Sequence, residues 1–226
     1  GKADVRHIVA DITKEETLAA AVAQVMEAEG RIDLVVNNAG FGISGAIEFT
    51  TTEEAQRLFD ANFFGMVRMN RCVVPIMRRQ GGGRIINLSS VAAPVAIPFQ
   101  AYYSATKAAV NDYTMALANE LRPFGVTVCA VQPGDIRTGF TAAREKVIEG
   151  DDIYQGRIGR SVARMEHDEQ TGMDPAKAGR FIANVAAKQS VKPLYTIGAS
   201  YKFFVFLVRI LPGRALNWLV GLLYAK

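Results

Sequence analysis

Short apolar runs alternate with longer helical patterns along most of this chain, and this alternation restricts the possible folds more than any other feature. The apolar runs are rich in Val, Ile and Leu, as in strands covered on both faces, and they occupy residues 5–10, 32–36, 84–88, 126–131 and 194–197. Helical patterns fill most of the chain between them, at residues 14–29, 52–77, 105–121 and 175–188. Strands that alternate with helices are typical of a parallel sheet with helices on both faces. The sequence therefore predicts an α/β fold with a doubly wound parallel sheet.

Polar or turn-forming residues directly follow four of the predicted strands. They are Asp11, Asn38, Ser90 and the pair Pro133 and Gly134. The carboxyl ends of parallel strands share one edge of the sheet, and ligands of open α/β sheets bind in the crevice at that edge. We therefore expect these residues to converge on a single crevice.

Tyr103 and Lys107 are four residues apart, at the start of the helix predicted at 105–121. At this spacing the two side chains leave the same face of a helix one turn from each other. A nearby ammonium favours the phenolate, so we expect a phenol pKa below its free value of about 10. Such a phenol can exchange a proton at cellular pH. Taken alone, the same spacing also fits a simple contact on a helix surface.

The composition is that of an ordinary globular protein and argues against a metal site. Half of the 226 residues are hydrophobic and 21% are charged, which suits one α/β domain. Cys72 and Cys129 have no Cys or His partner at a metal-binding spacing, and His7 and His167 are isolated. Thiols without partners are typical of a reducing compartment. We therefore expect a cytoplasmic protein that binds no metal.

Basic residues are concentrated in the C-terminal quarter of the chain. Eight Lys and Arg residues and no Asp or Glu follow Asp174, although the whole chain has a net charge of only +4. The basic character is therefore local, and it does not indicate a nucleic-acid-binding protein.

The last segment, residues 200–226, is apolar nearly throughout and is divided by Pro212-Gly213. Neither half reaches the roughly 20 apolar residues that span a bilayer. One interpretation is a helix pair packed on the protein body or on a second subunit. The other is an anchor at a membrane interface, because the segment is basic, free of acids and carries Trp218. We divide the chain into a main domain, 1–199, and this tail, which is either part of that domain or a membrane or dimer contact.

Several motifs together resemble the signature of the short-chain dehydrogenase/reductase superfamily. Ser90 precedes Tyr103 by thirteen residues and Lys107 follows Tyr103 by four, and the motifs have the order and intervals of that family. They are Asn37-Asn38-Ala39-Gly40, Asn62 within Asn-Phe-Phe-Gly, Ser90, Tyr103-x-x-x-Lys107 and Pro133-Gly-x-Ile-x-Thr138. The resemblance implies a Rossmann-like fold and hydride transfer between a nicotinamide cofactor, NAD or NADP, and a secondary alcohol or ketone.

The resemblance also implies a role for each matching residue. Tyr103 would be the general acid/base, Ser90 would hold the substrate oxygen, and Lys107 would lower the Tyr103 pKa and bind the nicotinamide ribose. Asn62 would anchor a water that links Lys107 to solvent. The cofactor-binding set would comprise Asp11, Ile12, Asn38, Ala39, Gly40, Tyr103, Lys107, Pro133, Gly134, Ile136 and Thr138.

The chain departs from the family pattern at its beginning. It lacks the Gly-x-x-x-Gly-x-Gly turn that holds the pyrophosphate, and Gly1-Lys2-Ala3 resembles the loop before the third strand of the fold. Two absent strands would separate 5–10 from 32–36 by roughly 14 Å. We therefore expect further βα units ahead of Gly1, and the choice between NAD and NADP stays open.

Two classes of function are consistent with this sequence. The first is an oxidoreductase for a lipophilic alcohol or ketone, such as a steroid, a retinoid or a long-chain compound, because the tail differs from that of the family's ketoacyl-carrier-protein reductases. The second is a non-catalytic nucleotide-binding regulator or scaffold on the same fold. The complete set of acid/base residues favours the enzyme. We expect a small-molecule substrate and a homodimer or homotetramer, with peripheral membrane contact as one interpretation of the tail.

Overall fold

The computed structural model describes residues 4–225, and its centre is a sheet of four parallel strands. These strands are β1 (Leu34–Asn37), β3 (Gly83–Leu88), β4 (Val126–Gln132) and β6 (Leu194–Thr196), and they lie in that order across the sheet. Two short strands, β2 (Ile43–Ser44) and β5 (Glu145–Lys146), form a separate parallel pair. The predicted α/β fold with a parallel sheet is confirmed.

Eight α-helices accompany the strands in the described part of the chain. They are α1 (Glu15–Glu29), α2 (Thr52–Phe59), α3 (Gly65–Gln80), α4 (Ala101–Leu121), α5 (Arg157–Gln170), α6 (Pro175–Ala186), α7 (Ala199–Ile210) and α8 (Gly213–Tyr224). A π-helical turn, Asp60–Phe64, joins α2 to α3, and a 3₁₀ turn, Arg122–Phe124, follows α4.

Two apolar clusters cover the two faces of the sheet. Successive side chains of a strand point to opposite faces, so Ile85 packs with α3 and α4 residues such as Met77 and Leu117, whereas Ile86 packs with Val185 of α6. All of these side chains are buried. Helices on both faces explain why β3 carries buried apolar side chains towards each of them, Ile85 on one face and Ile86 on the other.

The strand predicted at residues 5–10 is wrong. Residues 4–10 have no regular secondary structure, and the side chain of Val9 is 99% exposed. Within the described chain β1 is one of the two edge strands, and no strand lies beside residues 5–10 to pair with their backbone groups. An apolar run without a partner strand cannot form a sheet by itself.

The helix predicted at 52–77 is interrupted, and the first helix begins without a side-chain cap. The π-helical turn at Asp60–Phe64 separates α2 from α3. Thr13 donates its hydroxyl to Asp11 at 2.7 Å, and α1 begins after Lys14 without a side-chain cap. A reciprocal capping box joins Thr51 and Glu54 at the start of α2.

Residues 139–172 and the tail both contain regular structure. Residues 139–172 include β5 and α5, and the side chain of Ile158 on α5 is fully buried. Helices α7 and α8 form the predicted pair, and Tyr224 of α8 packs against the cluster that contains Ile158. None of the helices in residues 4–225 is long and apolar enough to cross a membrane.

Candidate active site

A cavity of about 810 Å³ lies at the carboxyl edge of the sheet, where the sequence predicted a crevice. The strand ends bring most of the predicted site residues to its wall. They are Asn38, Gly40, Ser90, Tyr103, Lys107, Pro133, Gly134, Ile136 and Thr138. Because β1, β3 and β4 run parallel, the residues after each strand reach the same edge.

Tyr103 lies in the first turns of α4 with its phenol facing this cavity and Ser90 within hydrogen-bonding reach. Burial raises the pKa of Tyr103 to about 12, and the hydrogen bond with Ser90 opposes this only in part. The predicted lowering of the Tyr103 pKa is therefore wrong. The cause is desolvation of the phenolate in a buried site, which outweighs the effect of neighbouring charges.

Lys107 is buried one helical turn from Tyr103, as predicted. Among residues 4–225 its ammonium donates one hydrogen bond, to the carbonyl oxygen of Leu88 at 2.9 Å, and its Nζ lies 5.6 Å from the centroid of the Tyr103 ring. The ammonium is therefore directed to the end of β3. Burial lowers the pKa of Lys107 from 10.5 to about 8, so at neutral pH the side chain is charged.

Asn62 is held beside Lys107 by the π-helical turn. Its Oδ1 accepts the N–H of Phe41 at 3.0 Å, and its Nδ2 donates to the Phe41 carbonyl at 2.9 Å. A Cβ on Gly40 would lie 2.8 Å from Asn62 Oδ1 and 3.8 Å from Lys107 Nζ, so Gly40 separates the two side chains. π-Helical turns are frequent at functional sites because they redirect individual side chains. The predicted water relay through Asn62 stays a prediction.

Three of the predicted cofactor-binding residues do not line the cavity. Asp11 is exposed and accepts hydrogen bonds from Thr13, whose hydroxyl lowers the pKa of that carboxyl. Ile12 packs against Gly65 at the start of α3, and Ala39 is exposed between two cavity residues. Their cofactor contacts stay predictions.

A buried chain of polar side chains supports the strand ends below the cavity. Asn37 donates its amide to the side-chain oxygens of Asn70 and Asn87, both at 2.8 Å, and Asn87 donates to Thr114 at 2.9 Å. The chain links β1, α3, β3 and α4. Buried amides that are hydrogen-bonded in this way fix the relative positions of the elements that carry them.

The sequence did not identify the acidic side of the cavity, formed by Asp135 and Glu169. Tyr201 donates its hydroxyl to Asp135 at 2.5 Å, and burial raises the pKa of Asp135. Burial also raises the pKa of Glu169, whose carboxylate pairs with the buried Arg144 and accepts the hydroxyl of Thr141 at 2.7 Å. Neither contact has a local sequence signal, because the partners lie on distant elements.

The tail forms one wall of the cavity. Tyr201 and Phe204 of α7 and Leu223 and Tyr224 of α8 line it. A methyl group on Gly134 would overlap the ring of Tyr201, so the absence of a side chain at Gly134 lets α7 approach the end of β4. In the described residues no group of three or more His, Cys, Asp or Glu side chains is arranged to hold a metal ion.

Comparisons with known proteins agree with the fold. A family model described as short chain dehydrogenase matches residues 2–148. A 3-ketodihydrosphingosine reductase from Bacteroides thetaiotaomicron is 39% identical over 217 residues, which cover 95% of this chain and 78% of the relative. A probable short-chain type dehydrogenase/reductase from Helicobacter pylori is 28% identical over 203 residues, which cover 89% of this chain and 75% of the relative.

Solved structures give the same result. A short-chain dehydrogenase from Streptomyces avermitilis superposes with a TM-score of 0.79 at 32% identity, covering 88% of this chain and 72% of that one. A 3-ketoacyl-(acyl-carrier-protein) reductase from Brucella melitensis, solved with NADH, has a TM-score of 0.70 at 26% identity, covering 84% and 75%. By its family-model match, its relatives and its fold, this chain belongs to the short-chain dehydrogenase family of oxidoreductases.

Proposed function

We propose that this protein uses NADH or NADPH to reduce a ketone on a long apolar chain to the secondary alcohol. The observation that carries the proposal is the convergence of Ser90, Tyr103 and Lys107 on one large cavity, with apolar walls supplied by separate elements. A solved relative binds NADH, and membership of the family supports NAD or NADP as the cofactor.

The cavity residues fit the nicotinamide end of such a cofactor. The Lys107 ammonium has three N–H groups, and its hydrogen bond to Leu88 uses one of them. The hydroxyls of a ribose would accept the others. Gly134, Ile136 and Thr138 follow β4 on the cavity wall, where they would hold the carboxamide side of the ring. The cofactor supplies the hydride, and the protein supplies orientation and the proton.

The protonation states favour reduction over oxidation. With a pKa of about 12, Tyr103 is neutral at physiological pH and can donate its proton to an oxygen that gains negative charge. Ser90, beside the phenol, would donate a hydrogen bond to the same oxygen and stabilise its charge. The charged Lys107, 5.6 Å from the ring centroid of Tyr103, favours loss of that proton.

The shape of the cavity supports a substrate with a long apolar part. Its apolar lining includes Val95, Ile97, Phe140, Phe204 and Leu223, and the ring of Phe140 lies 5.6 Å from that of Tyr103. The volume of about 810 Å³ would be shared by the nicotinamide end of the cofactor and the substrate. The name of the Bacteroides relative, a 3-ketodihydrosphingosine reductase, supports a long-chain ketone over a steroid or a retinoid.

The test is a series of 3-keto compounds with increasing chain length, each offered with NADH and with NADPH deuterated at the transferable position. We expect kcat/KM to rise with chain length and deuterium to appear on the carbinol carbon of the product. A steroid ketone and a short water-soluble ketone serve as comparisons. Failure of the protein to transfer deuterium to any ketone with either cofactor would leave the regulator interpretation in place.

A further inference from the structure

The two helices of the tail expose several large apolar side chains. Phe203, Phe206 and Ile210 of α7 are 62%, 55% and 59% exposed, and Trp218 of α8 is 67% exposed. On α7 these positions are three and four residues apart and therefore share one face of the helix. We call these four side chains the tail face.

The charged residues of α7 and α8 are all basic. Lys202, Arg209 and Arg214 are exposed, and none of them forms an ion pair within the described part of the chain. No Asp or Glu occurs after Asp174. An exposed apolar surface with an uncompensated positive charge is complementary to a surface that is apolar and anionic.

The inner side of the same two helices lines the cavity. Tyr201 and Phe204 point from α7 into it, and Leu223, which is half exposed, lies both on its wall and at the protein surface. Helices α7 and α8 therefore carry both the tail face and part of the cavity wall. A molecule that leaves a surface in contact with the tail face would therefore meet the same two helices that line the cavity.

The dimensions of the helices exclude a spanning arrangement and suit an interfacial one. Each helix has 12 residues and is about 18 Å long, shorter than a hydrocarbon core of about 30 Å. Basic amphipathic helices with exposed Phe and Trp lie in the plane of the headgroups, where anionic lipids attract their Lys and Arg residues. Burying the tail face in that layer removes its apolar area from water.

We propose that the tail face binds the surface of an anionic lipid bilayer, with the mouth of the cavity at that surface. The docking itself is independent of the reaction, whereas entry of a lipophilic ketone from the bilayer rests on the proposed function. A second copy of this chain suits the tail face less well. A twofold contact would place Lys202, Arg209 and Arg214 against the same basic residues of the copy, with no acid after Asp174 to offset them.

Cosedimentation of the full chain with vesicles tests the docking without any substrate. The vesicles contain phosphatidylcholine alone or phosphatidylcholine with phosphatidylglycerol. We expect the wild type to partition at least tenfold more strongly onto the anionic vesicles, and this preference to fall as salt is added. Equal partition onto both vesicles, or onto neither, would overturn the proposal.

Two variants separate the contributions of apolar area and charge. Phe203→Ser/Phe206→Ser/Trp218→Ser removes most of the tail face, and Lys202→Glu/Arg209→Glu/Arg214→Glu reverses its charge without touching the apolar side chains. Each should lower partition onto anionic vesicles by on the order of a hundredfold. Retention of wild-type partition by the charge-reversed variant contradicts the proposal even if the serine variant fails to fold.

Phe124→Ser is the matched control. Phe124 is 43% exposed and precedes β4 at the opposite edge of the sheet, so its loss should leave partition unchanged. Light scattering of the wild type and the serine variant tests whether a second copy of the chain, and not a bilayer, covers the tail face. A dimer that the serine substitutions convert to a monomer, without lipid binding by the wild type, would assign the tail face to a second copy and overturn the proposal.

Discussion

Ser90, Tyr103 and Lys107 reach the cavity from two neighbouring pieces of chain, the end of β3 and the first turns of α4. Burial acts on the two titratable groups in opposite directions, because it disfavours the phenolate and the ammonium alike. It raises the pKa of Tyr103 to about 12 and lowers that of Lys107 to about 8. The helical spacing predicted that these residues share a face, but their depth of burial depends on the tertiary fold.

The lowered pKa of Lys107 predicts a change of stability with pH. Between pH 8 and 10.5 the folded protein has released a proton that the unfolded chain still binds, so the free energy of unfolding rises by about 1.4 kcal/mol per pH unit. Lys107→Met lacks this group. We expect the stability of the wild type relative to the variant to rise by roughly 3 kcal/mol across that window.

Urea denaturation of both proteins at several pH values measures this difference. The raised pKa of Tyr103 acts in the opposite direction, but between pH 10 and 12 and in both proteins, so it cancels in the comparison. A stability difference that does not change between pH 8 and 10.5 would contradict burial of the ammonium.

Elements are positioned in this fold by contacts that the sequence pattern did not indicate. The strands β1, β3, β4 and β6 were predicted because each lies in an apolar run, and the carboxyl-edge crevice followed from their parallel arrangement. The π-helical turn at Asn62 and the contact between Gly134 and Tyr201 were not predicted, because they depend on neighbours that are distant in the chain. The strand expected at 5–10 failed for the same reason, since pairing requires a partner.

The contact between Gly134 and Tyr201 predicts strong coupling between the loop after β4 and helix α7. A methyl group at Gly134 overlaps the Tyr201 ring, so Gly134→Ala should destabilise the protein by about 1–3 kcal/mol. Tyr201→Ala removes the ring and should relieve this overlap. In a double-mutant cycle measured by urea denaturation, we expect the double variant to be more stable than the sum of the single effects predicts. Additive effects would show that α7 does not contact this loop.

The buried amide chain predicts a large cost for a single polar substitution. Asn87 is fully buried, accepts from Asn37 and donates to Thr114. Asn87→Ala removes the hydrogen bonds that Asn37 and Thr114 form with Asn87, and it opens a cavity. We therefore expect a loss of about 2–4 kcal/mol in the free energy of unfolding. The exposed Asn217→Ala is the control and should change it by less than about 0.5 kcal/mol. Equal losses for the two variants would contradict a structural role of the buried amide network.

On the scale of the whole molecule, the sheet differs between its centre and its edge. Among residues 4–225 strand β3 pairs with β1 and β4, whereas β1 pairs with β3 alone, and Leu34 and Val36 of β1 are about 40% exposed. Helices α7 and α8 of the tail line the cavity with some of their side chains and expose apolar and basic side chains to solvent with others. The expectation that further βα units precede Gly1 stays a prediction.

Hydrogen exchange of chain 1–226 measures this difference across the sheet. Amides of β3 are hydrogen-bonded in the buried centre and should exchange at least roughly a hundredfold more slowly than the outward-facing amides of β1. Similar protection in the two strands would show that β1 is paired on both sides in solution, for example with another copy of the chain.

The central claim is that the phenol of Tyr103 supplies the proton in ketone reduction. Tyr103→Phe removes only the hydroxyl, and the adjacent Tyr102→Phe makes the same change outside the cavity lining. On a long-chain ketone that the wild type reduces, we expect kcat to fall about 10²–10⁴-fold for Tyr103→Phe and to stay within about twofold of wild type for Tyr102→Phe. A Tyr103→Phe enzyme that retains wild-type kcat would contradict the claim.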